Sequence, residues 1–155
     1  MRCMKISMTD VIIAGAGAAG LMTAITAARR GLLITVLEPN GKTGKKLRIT
    51  GKGRCNVTND SAPQEFLQKV CTNARFLKSA LYAFPPEAVK TFFEEAGVPL
   101  KTERGERVFP VSDNANDIAD TLERLAKSAG VRIVHERLMD IRTSDGQVTA
   151  VVTDR

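Results

Sequence analysis

The residues best placed to do chemistry lie between Asp10 and Glu38, in DVIIAGAGAAGLMTAITAARRGLLITVLE. Gly15, Gly17 and Gly20 stand at the spacing G-x-G-x-x-G, with Ala18 and Ala19 between the last two. In that pattern the first glycine permits a tight turn out of a strand. The second lets the backbone approach a pyrophosphate, and the third lets a helix pack close to the sheet. The first N–H groups of that helix, near Ala18 and Ala19, point with the positive dipole end at the phosphates. Glu38 closes the stretch as an acid at the end of the next strand, where its carboxylate can accept hydrogen bonds from both hydroxyls of an adenosine ribose. No arginine follows, because the chain continues Pro39-Asn40. A 2′-phosphate would be repelled by Glu38, so the site suits FAD or NAD rather than NADP. Glycine-rich turns are common; the weight here comes from the strand before, the helix after and the acid beyond.

A second group of chemistry-bearing residues follows in GKTGKKLRITGKGRCNVTN, Gly41 to Asn59. Lys42, Lys45, Lys46, Arg48, Lys52 and Arg54 alternate with glycines. A flexible solvated basic loop is one reading, and nucleic-acid binding is another. The stretch holds no aromatic residue on which a base could stack, which weakens the single-stranded nucleic-acid reading. Glycines, cations and amide donors directly after a ribose-binding acid are better suited to wrapping a pyrophosphate and a flavin.

The run Gly44-Lys45-Lys46-Leu47 through Thr50-Gly51-Lys52-Gly53-Arg54-Cys55-Asn56-Val57-Thr58-Asn59 resembles the G-[RK]-K-L-x-x-[ST]-G-x-G-R-C-N-x-T-N signature of a family of bacterial flavoproteins. Glu103 through Ser112, ERGERVFPVS, is similar to a second segment of that family. Its members are described as NAD(P)/FAD-dependent oxidoreductases and include aminoacetone-oxidase-like and bile-acid-dehydroxylation-linked proteins. Lys52 stands where the family often has glycine. The resemblance implies FAD as cofactor, with NAD(P)H as a candidate electron donor and an unidentified small molecule as substrate. It places Lys46, Gly53, Arg54, Cys55 and Asn56 on the flavin side, and the backbone of Leu138 at the adenine edge. Arg107 and Ser112 fall near the flavin or the substrate entrance. Cys55 is a tempting redox partner, but no second cysteine is near it in sequence, which favours a structural or backbone role. Family members are longer, with an inserted substrate domain and a C-terminal return to the FAD fold, so this chain is expected to be an N-terminal portion completed by the remainder of a longer chain.

The elements that must position these residues alternate between strand and helix. Val11–Ala14 is short, apolar and β-branched, as a buried parallel strand should be. A helix runs from the glycine turn to about Arg30 with Gly31 stopping it, and Leu33 to Leu37 is the next strand. The middle is helical. Ser61 and Gln64 form a capping box, Asn73 caps a helix through Phe84, and Pro86 starts a third that Gly97 ends. Phe76, Leu77, Leu81, Phe84, Phe92, Phe93 and Cys71 read as core. A hairpin turns at Arg104-Gly105-Glu106. An amphipathic helix follows, capped by Ser112 or Asn114, with the stripe Ala115, Ile118, Ala119, Leu122, Leu125, Ala126 and Ala129. Val131–Val134 reads as a third parallel strand beside the first, and Ser144-Asp145-Gly146-Gln147 as the turn of a terminal hairpin. His135 could donate a proton, although a lone histidine at a strand end is more often an ordinary hydrogen-bonded residue.

The fold class expected is therefore α/β: a Rossmann-type FAD/NAD(P)-binding domain with a parallel sheet, a helical insertion and a terminal β-meander. Residues 1–9 are set apart as an N-terminal extension and 10–155 form the domain. Length and composition agree with one globular domain: 155 residues, 43% hydrophobic and 26% charged. Lys+Arg 23 against Asp+Glu 17 leaves a net charge of +6, which suits a phosphate-rich cofactor and also admits RNA. The three cysteines show no C-x-x-C spacing and the chain has one histidine, so neither a disulfide framework nor a metal site is expected. The opening lacks the apolar core of a secretory signal and no run is long enough to span a bilayer, so the expected location is the cytoplasm, without a membrane partner. A flavoprotein oxidoreductase is the leading reading. A binding module without turnover, an RNA-associated flavoprotein and a plain NAD-binding domain are its rivals, with nucleic acid the less favoured partner.

Overall fold

The computed structural model describes residues 2–5 and 9–155 of the protein, the first four of these by their backbone. The chain forms two compact units. The first takes residues up to Lys46 together with Leu122–Arg155, and the second is Leu47–Thr121.

In the first unit a parallel sheet carries the glycine motif. Its strands are β2 (Val11–Ala14), β3 (Ile34–Leu37) and β7 (Arg132–Val134), in the order β2-β3-β7. Val11 lies opposite Ile34, and Thr35 opposite Arg132. Two expectations are corrected here. The strand after Val131 pairs with β3, not with the first strand, and β2 is half-buried at an edge instead of enclosed. All four residues of β3 are buried, as befits the central strand of the three.

The helix α1 (Ala18–Ala28) buries Leu21, Ala24 and Ile25, one face at helical spacing. It ends two residues earlier than expected, where Gly31 turns left-handed at φ +85°. Gly31 N–H donates to Ala28 O at 2.9 Å and Leu32 N–H to Ala27 O at 3.4 Å. This pair of bonds satisfies carbonyls that the helix end would otherwise leave orphaned.

The other sheet of the first unit is antiparallel, in the order β1 (Arg2–Lys5), β9 (Gln147–Thr153), β8 (Leu138–Ser144). Asp145 and Gly146 both have positive φ, 52° and 76°, the geometry of a two-residue hairpin turn with matching twist. Part of the stretch set apart as an extension thus joins this sheet, with Arg2 opposite Thr153. Residues 1 and 6–8 of that stretch lie outside the described residues.

The second unit is built on a three-stranded antiparallel sheet, β4 (Thr58–Asn59), β6 (Arg107–Pro110) and β5 (Leu100–Glu103), in the order β4-β6-β5. Its helices are α3 (Pro63–Gln68), α4 (Ala74–Ala83) and α5 (Pro86–Glu95). The expected capping box does not form. Pro63 occupies the first helical turn, where its missing N–H costs nothing, and this makes Ala62 the cap. Ser61 Oγ donates instead to Asn59 Oδ1 at 2.6 Å. Asn73 precedes α4 in a left-handed conformation without a side-chain cap.

The apolar face of α4 is not core either: Phe76 is 85% exposed, and Leu77 and Phe84 are also exposed. Only Ala74 and Leu81 are half-buried along this helix, so it rests on a narrower stripe than its sequence suggests. Cys71 is exposed, a further correction. Phe93 is buried, and Phe92 packs edge-on against both Phe93 and Phe84, with centroids 5.2 and 6.3 Å away.

Two helices run across the unit boundary in sequence, α2 (Lys45–Ile49) and α6 (Ala115–Ser128). Asn114 Oδ1 accepts from Asn116 N–H at 3.0 Å at the start of α6. Ala115, Ile118, Ala119, Leu122 and Ala126 of its stripe are buried.

Candidate dinucleotide site and an arginine node

In the first unit the glycine turn is shaped by necessity. Gly15 has φ +102°, and its N–H donates to Leu37 O at 2.7 Å, tying the end of β2 to the end of β3. A Cβ on Gly20 would stand 1.9 Å from Gly15 O and 3.4 Å from Ile13 Cγ2, so only glycine lets α1 sit this close to β2. A Cβ on Gly17 would meet nothing within 4 Å. Gly17 caps α1 with extended backbone, no side chain bonds to the helix end, and its first turn contains no acid. Gly17, Ala18 and Ala19 are exposed. An 11-residue helix therefore presents its unsatisfied N–H groups and positive end to solvent, a fit for a pyrophosphate.

Glu38 lies beside this turn and is only 6% exposed. Its Oε2 accepts from Ala16 N–H at 2.8 Å. Its Oε1 accepts from Asn40 N–H at 2.9 Å and from Asn40 Nδ2 at 2.5 Å. Burial alone would push the carboxyl up, but the Asn40 N–H, the Ala16 N–H, the Asn40 amide and nearby His135 together hold it below the usual range. His135 is exposed and its Nδ1 lies 2.6 Å from Asn40 O; a carbonyl can only accept, so Nδ1 carries the proton. Gly44 N–H donates to Ala16 O at 2.7 Å, and the buried Thr43 hydroxyl donates to Glu123 Oε2 at 2.5 Å. These bonds anchor the loop after Glu38.

In the second unit the basic signature closes on itself. Gly51, Lys52, Gly53 and Cys55 all have positive φ, from 55° to 85°, so the chain turns tightly there. Arg54 Nε and Nη2 both bond Asp113 Oδ1, at 2.9 and 2.6 Å, and Nη2 also bonds Glu103 Oε1. The guanidinium lies 4.2 Å from the centroid of Phe109, a stacking contact. Lys101 Nζ reaches Asp113 Oδ2 at 2.7 Å. Arg54 is driven further up by Glu103 and then Asp113. In turn Arg54 lowers Glu103, while Lys101 and then Arg54 lower Asp113.

Cys55 is buried, and burial pushes its thiol up against a hydrogen bond with Thr50. With its amide nitrogen facing the carbonyls, Asn56 donates to Thr58 O at 3.0 Å and Val108 O at 3.2 Å. Within this unit Arg54 and Asn56 of the first motif thus pack against Glu103 and Val108 of the second.

The expected site residues sort by unit. Gly15, Gly17, Ala18, Ala19, Gly20 and Glu38 come together at the end of the parallel sheet. Lys46 is exposed on α2, and Leu138 is half-buried at the start of β8, opposite Thr153. Gly53, Arg54, Cys55 and Asn56 belong to the second unit, where the last three have their side chains engaged as described. Of the two residues noted in the second segment, Arg107 is exposed with its Nε on Arg104 O, and Ser112 Oγ serves Asp117 and Asn114. Sequence reasoning missed Asn40, Glu103, Phe109 and Asp113. Arg54 in one motif, with an acid opening the other motif and an acid directly following it, was the available signal. Among the described residues no helix is long and apolar enough to cross a membrane.

Residues 9–155 match the family described as the HI0933-like protein Rossmann domain. The chain belongs to that family. This HI0933-like chain is 32% identical over 128 residues to the 3-dehydro-bile acid delta(4,6)-reductase of Clostridium scindens, covering 81% of itself and 31% of that protein. It is 30% identical over 147 residues to the ribosomal RNA dihydrouridine synthase of Haemophilus influenzae, covering 94% of itself and 34% of the relative. The HI0933-like chain spans about a third of the length of these curated relatives. Among solved structures, the 3-ketosteroid-delta4-(5alpha)-dehydrogenase of Rhodococcus jostii aligns with a TM-score of 0.71 at 20% identity, over 95% of this chain and 42% of that one. That likeness establishes the fold, and the α/β Rossmann architecture expected from the sequence is the one observed.

Proposed function

We propose that this chain is the FAD-binding part of a flavoprotein oxidoreductase that acts in the cytoplasm on a small molecule, with NAD(P)H as a candidate electron donor. The observation that carries the proposal is the glycine turn: an exposed, uncapped α1 N-terminus, brought against β2 by a Gly20 that has no room for a Cβ, beside a buried Glu38. Bound flavin would supply hydride or electron transfer. The chain's own residues bind and orient. Gly17, Ala18, Ala19 and Gly20 hold the pyrophosphate through backbone N–H groups, and Gly15 shapes the turn that presents them, because its own N–H is donated to Leu37 O. Glu38 holds the ribose, and the Leu138 backbone meets the adenine. The flavin-side role of Lys46, Gly53, Arg54, Cys55 and Asn56 is supported by the motif resemblance. For Arg54 and Asn56 it falls to the backbone, because their side chains are engaged within their own unit. The bile-acid reductase among the relatives supports a small-molecule substrate.

The test is to titrate the purified chain with FAD and with ADP by calorimetry, and to record the absorbance of the desalted FAD mixture. Saturable ADP binding and a protein-perturbed band near ~450 nm are expected. An absence of saturable binding by either nucleotide would sink the reading. A second reading, an RNA-directed flavoprotein, is favoured by the net charge of +6 and by the similarity to a ribosomal RNA dihydrouridine synthase along 94% of this chain. RNA retention that weakens steeply with salt supports it; no retention at low salt removes it.

A further inference from the structure

We propose that Asn40 is the positioning residue of the nucleotide site: it holds Glu38 by one carboxylate oxygen, and this leaves the other to read a single ribose hydroxyl. The inference rests on the dinucleotide reading above and deepens it. A carboxylate has about four lone-pair positions, two on each oxygen. Glu38 Oε1 uses both of its positions on Asn40, at 2.9 Å to the backbone N–H and 2.5 Å to Nδ2. Oε2 uses one on Ala16 N–H at 2.8 Å. The position that remains is on Oε2. A carboxylate with both oxygens free could accept from both hydroxyls of a ribose, whereas Glu38 held in this way accepts from one.

Asn40 is itself held. Its backbone carbonyl accepts from His135 Nδ1–H at 2.6 Å, and its Oδ1 accepts from Lys45 Nζ at 3.5 Å. It therefore ties the end of β3 to the residue that follows β7 and to the start of α2. The groups of charge that face Glu38 and Asn40 are His135 from the end of β7 and Lys45 from α2, while the turn before α1 contributes backbone N–H only.

Two measurements test the role. The first needs no nucleotide: the Glu38 side-chain carboxyl is titrated by carbon NMR in the unaltered chain, in Asn40→Ala and in Asn40→Asp. Removing the amide donor raises the Glu38 midpoint, and placing a second carboxylate against Oε1 raises it further. Both variants keep the backbone N–H and its bond, so a general loss of structure is separable by their amide spectra. Equal midpoints in all three chains overturn the proposal. The second compares ADP with its 2′-deoxy and 3′-deoxy forms by calorimetry. In the unaltered chain one deoxy form loses affinity by roughly tenfold or more, as for a hydrogen bond to a charged group, and the other binds like ADP. In Asn40→Ala that contrast shrinks. Two deoxy forms that lose affinity equally, or not at all, overturn the positioning role and leave the dinucleotide site standing. A chain that binds no ADP at all overturns the reading and the role together.

Discussion

The two units hold their acids in opposite ways. In the first, Glu38 is buried and its direct donors are N–H groups from Ala16 and Asn40. In the second, Glu103 and Asp113 are partly exposed and are neutralised by Arg54 and Lys101. An acid held by N–H dipoles keeps its charge and a lone pair, so it can still accept from a neutral hydroxyl. An acid closed into an ion-pair cluster has its strongest positions occupied by its own chain. The first arrangement suits a binding group and the second suits a clasp. A sequence shows two sets of charged residues among glycines; only the partners distinguish their uses.

The largest expected effect breaks the first region outright. Gly20→Val places a Cβ 1.9 Å from Gly15 O, so α1 must move off β2. Overpacking of this kind costs about 3 kcal/mol or more, because the obstacle is backbone and cannot rotate away. A fall in the calorimetric Tm together with loss of ADP binding is the expected pair of results. A Tm close to that of the unaltered chain would show that the close approach of α1 is not required.

The next effect sharpens the comparison through salt and acid. Glu38→Gln replaces an acceptor by an amide that faces an N–H donor, and this costs roughly 2 kcal/mol at neutral pH. Arg54→Met opens the clasp but keeps an apolar contact near Phe109. In about 0.5 M salt, where exposed charges are screened within a few ångströms, the Glu38→Gln deficit persists and the charge-dependent part of the Arg54→Met deficit shrinks. Urea midpoints at two salt concentrations measure both. The acid response has a definite sign. Glu38, Glu103 and Asp113 are all held below their ordinary values in the folded chain. Their contribution is complete above the ordinary carboxylate range, near pH ~4, and is lost as the pH falls from there through the lowered folded values. Added salt removes most of this acid dependence for the clasp and little of it for Glu38.

Much of the first region was legible because its requirements are local. A positive φ at Gly15, a missing Cβ at Gly20 and an acid closing β3 are all properties of single positions, and the strand–helix–strand pattern supplies their context. Asn40 was not legible. A residue two places after an acid in a loop carries no periodicity, and its role depends on where its amide points. The clasp was half legible: the two motif segments stood out, but their pairing through Arg54 spans 49 and 59 residues of sequence. The apolar spacing of α4 misled for a related reason. Periodicity shows that a face exists, while Phe76 at 85% exposure shows that the described chain does not cover it.

The smallest effect tests the clasp where the chain departs from the family pattern. Lys52 stands at φ +58° and ψ +39°, between Gly51 and Gly53. A left-handed residue with a Cβ costs about 1–2 kcal/mol, the reason glycine is frequent at such a position. Lys52→Gly removes that strain but gives the unfolded chain more freedom, which costs about 0.4–1 kcal/mol. The difference leaves a stabilisation of roughly 0.5 kcal/mol, a small rise in the urea midpoint at constant slope. Gly51→Ala runs the other way. It puts a Cβ at φ +55°, 3.2 Å from Asn56 N and 3.3 Å from Phe109 Cε1, and so combines the same strain with crowding against the ring on which Arg54 stacks. If Lys52→Gly destabilises the chain instead, the lysine side chain contributes something to the clasp that outweighs its backbone strain. The turn would then be held by more than its glycines and Arg54.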